Sequence, residues 1–62
     1  MASKFVLTRS DSGAFHFTLV ASNGEVIASS EMYSTKGGAQ NGIDSVRRAA
    51  ADAIVDDQTG SN

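Results

Sequence analysis

Hydrophobic periodicity in this chain changes once. As far as residue 30 the apolar residues follow a period of about two, and from Lys36 they recur at i, i+4, i+7 and i+11. A chain with that single switch folds as consecutive strands followed by a helix, which is an α+β architecture. Residues 4–9 (KFVLTR) are rich in aromatic and branched side chains and end in the turn formers Ser10-Asp11-Ser12-Gly13. Residues 14–21 alternate strictly, with Phe15, Phe17 and Leu19 on one side and His16, Thr18 and Val20 on the other. Asn23-Gly24 then predicts a type I′ hairpin, in which both central residues take positive φ, and residues 25–30 form a third strand. The three strands read as an antiparallel meander with Phe5, Leu7, Phe15, Phe17 and Leu19 on its core face. Either Val26 and Ala28, or Ile27, lie opposite them.

In the second half, Ala39, Ile43, Val46 and Ala50 fall within an arc of about 60° on a helix of about 100° per residue. They form one apolar stripe. Ser34 or Thr35 supplies the N-cap, accepting a hydrogen bond from an otherwise unpaired amide. Asp44 precedes Arg47 and Arg48 by three and four residues, so these three read as a solvated polar face, the arginines near the negative end of the helix dipole. After Asp52, Ala53-Ile54-Val55 is too short for a helix and reads as a fourth strand, and residues 56–62 as a polar tail. The expected organisation is one domain over residues 1–62, with an ordered core at about 4–56 and a flexible tail at 57–62.

Composition narrows the function classes. With 40% hydrophobic and 19% charged residues the chain resembles a globular domain and not a disordered one. Five Lys and Arg against seven Asp and Glu leave a net charge of −2, without the basic footprint of a nucleic-acid binder. The absence of Cys removes disulfides and thiolate metal sites. Residues 1–4 are too short and polar for a secretory signal, and no run approaches the roughly 20 apolar residues of a membrane span. The expectation is a cytoplasmic protein with no membrane association.

A domain of 62 residues with no staple is short of core. One helix covers one face of a sheet, and three strands leave two unpaired edges. A second copy of the chain would remedy both deficits, so the expected partner is the protein itself, as a homodimer. Beside the apolar stripe runs a second one of small residues, Gly38, Gly42, Ser45 and Ala49. Glycine within a helix costs about 1 kcal/mol relative to alanine, so Gly37, Gly38 and Gly42 imply the close approach of another backbone, that of the chain's own sheet or of a partner. Packing on the chain's own sheet takes precedence over an intersubunit contact, because a helix in a small domain must bury a face locally. The candidate pairing or close-packing residues are Gly38, Gly42, Ser45, Ala49, Ile54 and Val55.

Chemical sites are sparse. His16 is the sole histidine, and Glu25 and Glu31 lack the spacing of metal ligands. No serine sits in a nucleophile elbow or triad, so no catalytic residue, metal or cofactor is expected. Ser34, Thr35, Lys36, Gly37 and Gly38, which follow Tyr33, combine hydroxyls, a cation and the free amides of a helix start, and this is the candidate anion or nucleotide site. The glycines follow the lysine, so this is no Walker A loop, and capping accounts for the same residues. A sheet edge flanked by Phe and Val would also suit strand addition by an extended peptide.

The string Asn23-Gly24-Glu25-Val26-Ile27-Ala28-Ser29-Ser30-Glu31, followed by Tyr33-Ser34-Thr35-Lys36 and Asn41-Gly42-Ile43-Asp44-Ser45-Val46, resembles the YegP-like family of small bacterial domains of unknown function. The likeness spans about residues 4–56. It implies a β-β-β-α-β unit, with a helix on one face of the meander, occurring as tandem units or as single units that pair. It further implies that the C-terminal strands, here residues 53–55, are exchanged between units in a joint sheet. The family often carries basic residues on the second strand, where this chain has His16, Thr18 and Val20. The resemblance implies no activity, so the expected function is that of a non-enzymatic homodimeric structural or interaction module, with the anion site as alternative.

Overall fold

The structure, a computed structural model, describes residues 2–60. Strands β1 (Lys4–Arg9), β2 (Phe15–Val20) and β3 (Val26–Ser29) form one antiparallel sheet in the order β1-β2-β3, and helix α1 (Lys36–Asp52) follows. Phe5 faces Leu19, Leu7 faces Phe17 and Arg9 faces Phe15 across β1 and β2. Paired residues point to the same side of a sheet, so these six share one face. Val6, Thr8, His16, Thr18 and Val20 share the other.

Both hairpins turn the same way, and neither is the two-residue turn expected at Asn23-Gly24. Ser10 and Ala14, and likewise Ala21 and Glu25, are joined by backbone bonds of 2.7 and 2.8 Å across three-residue loops. Inside each loop the glycine amide bonds back three residues, Gly13 to Ser10 and Gly24 to Ala21. Gly13 and Gly24 take φ of 88° and 92°, while Asn23 stays at negative φ. A type I turn closed by one left-handed glycine needs a positive φ at that residue alone, which is why Asn23 has no left-handed role. The Asn23 side chain is used differently, its Oδ1 accepting from the Glu25 amide at 3.1 Å.

An irregularity in the β2–β3 register resolves the facing of β3. Leu19 pairs with Ala28 and Val20 with Val26, so Ile27 is an extra residue between them. Ala28 therefore joins the core face, Val26 joins Val20 on the opposite one, and Val26 and Ile27 are both 60% exposed. Beyond β3 the chain stays on the edge of β2: Ser30 exchanges bonds of 2.9 Å with Phe17 through its amide and hydroxyl, and Tyr33 bridges Phe15 with two backbone bonds.

That bridge places Tyr33 under α1. Thr35 is the N-cap, its Oγ1 accepting from the Gly38 amide at 3.0 Å. The helix then crosses the core face along β2, meeting Phe17 at Gly42 and Phe5 at Arg47. Phe17 and Ala39 are the buried residues among those described. Phe5 packs edge-on against Phe17 at 5.8 Å, and Tyr33 stacks on the same ring at 6.2 Å. The helix ends on Asp52, so Arg47 and Arg48 stand before its last turn and not at the negative end of the dipole, as the sequence led us to expect. Arg47 lies over the Phe5 ring, and Arg48 donates to Ser45 Oγ at 3.4 Å.

Residues 53–55 join no strand of the described chain, which differs from the fourth strand expected of them. Arg47 reaches the Phe5 ring, near the start of β1, and five further residues, about 7.5 Å of helix, follow it to Asp52. The chain leaves α1 with Ala53 at φ −68°, ψ 135°, in extended backbone. The expected tail, 57–62, lies partly outside the described residues. Within them, Asp57 accepts from the Thr59 amide at 3.0 Å, which holds its carboxyl below the usual range, helped by the Thr59 side chain.

Candidate functional site

The surface features of interest are the two sheet edges, one groove beside each, and the C-terminal arm. The β3-side groove, about 270 Å³, is lined by Phe5, Phe17, Leu19, Ala28, Tyr33 and Val46, with Ser30 and Glu31 at its rim. It exists because α1 sits over β2 and the β3 residue facing it, Ala28, is too small to fill the space. The β1-side groove, about 490 Å³, runs between Leu7, Phe15 and the start of α1, with Arg9, Lys36 and Gln40 around it. Arg9 lies 6.0 Å from the Phe15 ring centre, so its cationic end caps this apolar floor.

The small-residue stripe divides. A Cβ on Gly42 would meet Tyr33 Oη, come within 2.9 Å of Tyr33 Cζ and lie 3.1 Å from Phe17 Cε2. One on Gly38 would lie 3.1 Å from Thr35 Oγ1 and 3.6 Å from Tyr33 Cδ1. These two glycines make room for this chain's own aromatic side chains, which the sequence pattern could not distinguish from a partner's. Ser45 and Ala49 are exposed, as is the whole final turn of the helix. Beyond it, Ile54 and Val55 are 88% and 90% exposed, the most exposed large apolar residues of the described chain.

At the candidate anion site, Thr35 Oγ1 is engaged by the Gly38 amide, and the Ala39 amide bonds to the Thr35 carbonyl at 3.2 Å. Ser34, Lys36 and Gly37 are exposed, and nothing lies within 4 Å of a Cβ built on Gly37. The helix start is thus an open, capped end and not a walled pocket. His16 is half-buried on the sheet face away from α1, with the Thr8 hydroxyl 3.2 Å from its ring nitrogens. Glu25 and Glu31 lie at the two ends of β3, and no group of three or more metal-binding side chains is assembled among the described residues. No helix of the described residues is long and apolar enough to cross a membrane. The sequence reading missed the β3-side groove, whose only signal was the small Ala28 opposite the bulky Leu19.

A three-stranded meander under one helix, with unsealed edges and an unpacked C-terminal arm, defines a small α+β domain whose distinctive surfaces are made of backbone edges and apolar side chains. The chain belongs to the YegP-like family: residues 10–57 match the model described as Domain of unknown function (DUF1508). It is 51% identical to a UPF0339 protein of Treponema denticola over 55 residues, 89% of this chain and 95% of the relative. Similarity to a UPF0339 protein of Pseudomonas aeruginosa is 52% over 77% of this chain but 44% of that protein, and to UPF0339 protein YegP of Escherichia coli 49% over 76% and 43%. The chain therefore spans nearly all of one relative and under half of the others. Among solved structures, a protein from Haloferax volcanii superposes with a TM-score of 0.80 at 33% identity, over 90% of this chain and 95% of that one. It supports the β-β-β-α order and the α+β class.

Proposed function

We propose that this protein is a non-enzymatic interaction module that works as a homodimer, each copy completing its sheet with the C-terminal strand of the other. The observation that carries this reading is the arm: Ile54 and Val55, the most exposed large apolar residues of the described chain, follow directly on the end of α1 and pack on nothing in the sheet. Extended, apolar and unpaired backbone is what an open edge binds. The shape agrees. A compact chain of this length has a radius of gyration of about 10.5 Å, whereas this one measures 13.9 Å and reaches 45 Å along its long axis. Relatives about twice as long as the matched segment have room for two such units in one chain, which would meet the same need covalently. The proposed setting is cytoplasmic.

Light scattering behind a sizing column tests the pairing. The expected mass at micromolar concentration is twice 6.4 kDa, and a particle of 6.4 kDa would overturn it. Binding of a small anion at Ser34, Thr35, Lys36, Gly37 and Gly38 is the weaker reading. Shifts of the amide signals of residues 34–38 on titration with millimolar phosphate would favour it.

A further inference from the structure

The dipeptide Asn-Gly occurs twice in this chain, at Asn23-Gly24 and at Asn41-Gly42, and the fold puts the two copies in opposite situations. We infer that Asn23 is a site of self-modification, its side-chain amide being lost to attack by the Gly24 amide nitrogen, while Asn41 is kept intact by the helix. In this reaction the Gly24 nitrogen bonds to Asn23 Cγ and gives up its proton, the Cγ–Nδ2 bond breaks, and ammonia leaves with that proton. Water then opens the cyclic imide at one of its two carbonyls. One opening leaves an ordinary aspartate at position 23, and the other an iso-linked residue whose main chain runs through the former side chain. Water is the only co-reactant, and this lability is one reason that asparagine is a thermolabile residue. A glycine on the C-terminal side favours ring closure, because a Cα without a Cβ puts no obstacle beside the attacking nitrogen.

Along the sequence the two dipeptides are equal, and the backbone separates them. Both asparagines are exposed, so access of water to the side chain does not distinguish them. Closure needs a free glycine amide and rotation about the asparagine's ψ. Asn41 and Gly42 lie inside α1, where the Gly42 amide belongs to the helix ladder, and turning it out would break hydrogen bonds around it. Gly42 also faces the Tyr33 and Phe17 rings, so opening the helix there disturbs the aromatic stack. Asn23 and Gly24 instead stand in the exposed loop between β2 and β3, with nothing within 4 Å of a Cβ built on Gly24. The Gly24 amide is held by a bond of 2.9 Å to the Ala21 carbonyl, and releasing it opens a loop and not an element. At Asn23, Oδ1 accepts from the Glu25 amide at 3.1 Å, which draws electrons from Cγ and stabilises the negative charge that attack places on Oδ1. Nδ2, the nitrogen that leaves, donates only a long bond of 3.4 Å to Glu25 Oε1. The products bear on the fold. Each adds a negative charge beside Glu25, and the iso-linked one lengthens the main chain of a three-residue loop closed by the bond from the Ala21 amide to the Glu25 carbonyl. Modification at Asn23 therefore loosens the hairpin that holds the edge strand β3.

The unaltered full chain is sufficient for the test. Cleavage after lysine and arginine puts Asn23 in the fragment of residues 10–36 and Asn41 in that of residues 37–47, so mass spectrometry follows both sites through one incubation at mildly alkaline pH. Enzymatic methylation of iso-linked aspartate identifies that product. In urea the two fragments should exchange amide for acid at similar rates, because the dipeptides are the same. In the folded protein the 10–36 fragment should convert at least about tenfold faster than the 37–47 fragment, since a loop opens at lower free energy than a helix packed on the sheet. Equal rates in the folded chain would overturn the assignment, as global unfolding would then be the route to both. A 10–36 fragment that stays intact in the folded chain, over the time in which urea converts it, would overturn it as well, because the bond to Ala21 would then be protecting the loop. Ion exchange separates the more acidic aged protein for a second readout. Its iso-linked form should show faster hydrogen exchange at the Ala21 amide, and unchanged protection there would overturn the loosening of the hairpin while leaving the site in place.

Discussion

At the scale of single residues, three glycines in one helix have different reasons to be there. Gly42 faces Phe17 and Tyr33 at distances no Cβ tolerates without movement, and both rings belong to the central stack. Gly42→Ala should therefore lower stability by about 1–3 kcal/mol despite the gain in helix propensity. Gly37 faces open space, so Gly37→Ala should leave stability unchanged or raise it by about 0.5–1 kcal/mol. Urea denaturation of the pair checks the contrast, and equal effects would mean that Gly42 is not sterically required. Thr35 is the residue at which the chain changes from edge to helix, because its hydroxyl takes up one of the unpaired first-turn amides. Thr35→Ala should cost about 1 kcal/mol in the same assay. A cap was legible from the sequence at Ser34 or Thr35. Choosing between them required the Tyr33–Phe15 bridge, since that contact fixes where the chain stops following β2.

Among the elements, the helix and the sheet fit each other poorly in length, and the mismatch has consequences. α1 runs 17 residues, about 25 Å, against about 20 Å for six-residue strands. Its last turn and the arm beyond are exposed along their whole length. Removing residues after Asp57 should change little. Removing those after Asp52 should abolish the dimer and lower the melting temperature, because Ile54 and Val55 would no longer occupy a sheet position in the partner. Sizing and calorimetry of both truncations test this, and identical behaviour would remove the arm from the assembly. The apolar character of residues 53–55 marked them as a strand in the sequence. Among the described residues no strand pairs with them, and so strand propensity is left without a partner there.

For the molecule as a whole, the small core sets the behaviour. Phe17 and Ala39 are the buried residues of the described chain, and a domain of this size is marginal when its edges and one face stay open. Folding should then be linked to association, and stability should depend on concentration. We expect the melting temperature to rise by several degrees between micromolar and hundreds of micromolar protein. A transition that is independent of concentration would indicate a self-sufficient monomer. The same economy explains why the chemistry is so sparse: His16 faces away from α1, Glu25 and Glu31 are held apart by β3, and Asp57 is engaged in a local turn with Thr59.

Local chemistry was enough to specify the order of the elements. Alternation at Phe15, Phe17 and Leu19 identifies a half-buried strand, turn residues end at glycine, and the stripe from Ala39 to Ala50 identifies a helix, because each of these depends on neighbours within a few positions. The tertiary structure decided the rest. The bulge at Ile27, the three-residue form of both turns, the aromatic stack that requires Gly42, and the unpaired state of residues 53–55 all depend on what lies across a strand or under a helix. Register and packing are properties of pairs of segments distant in sequence, and a periodicity read along one segment carries no information about which partner it meets or whether that partner is in the same chain.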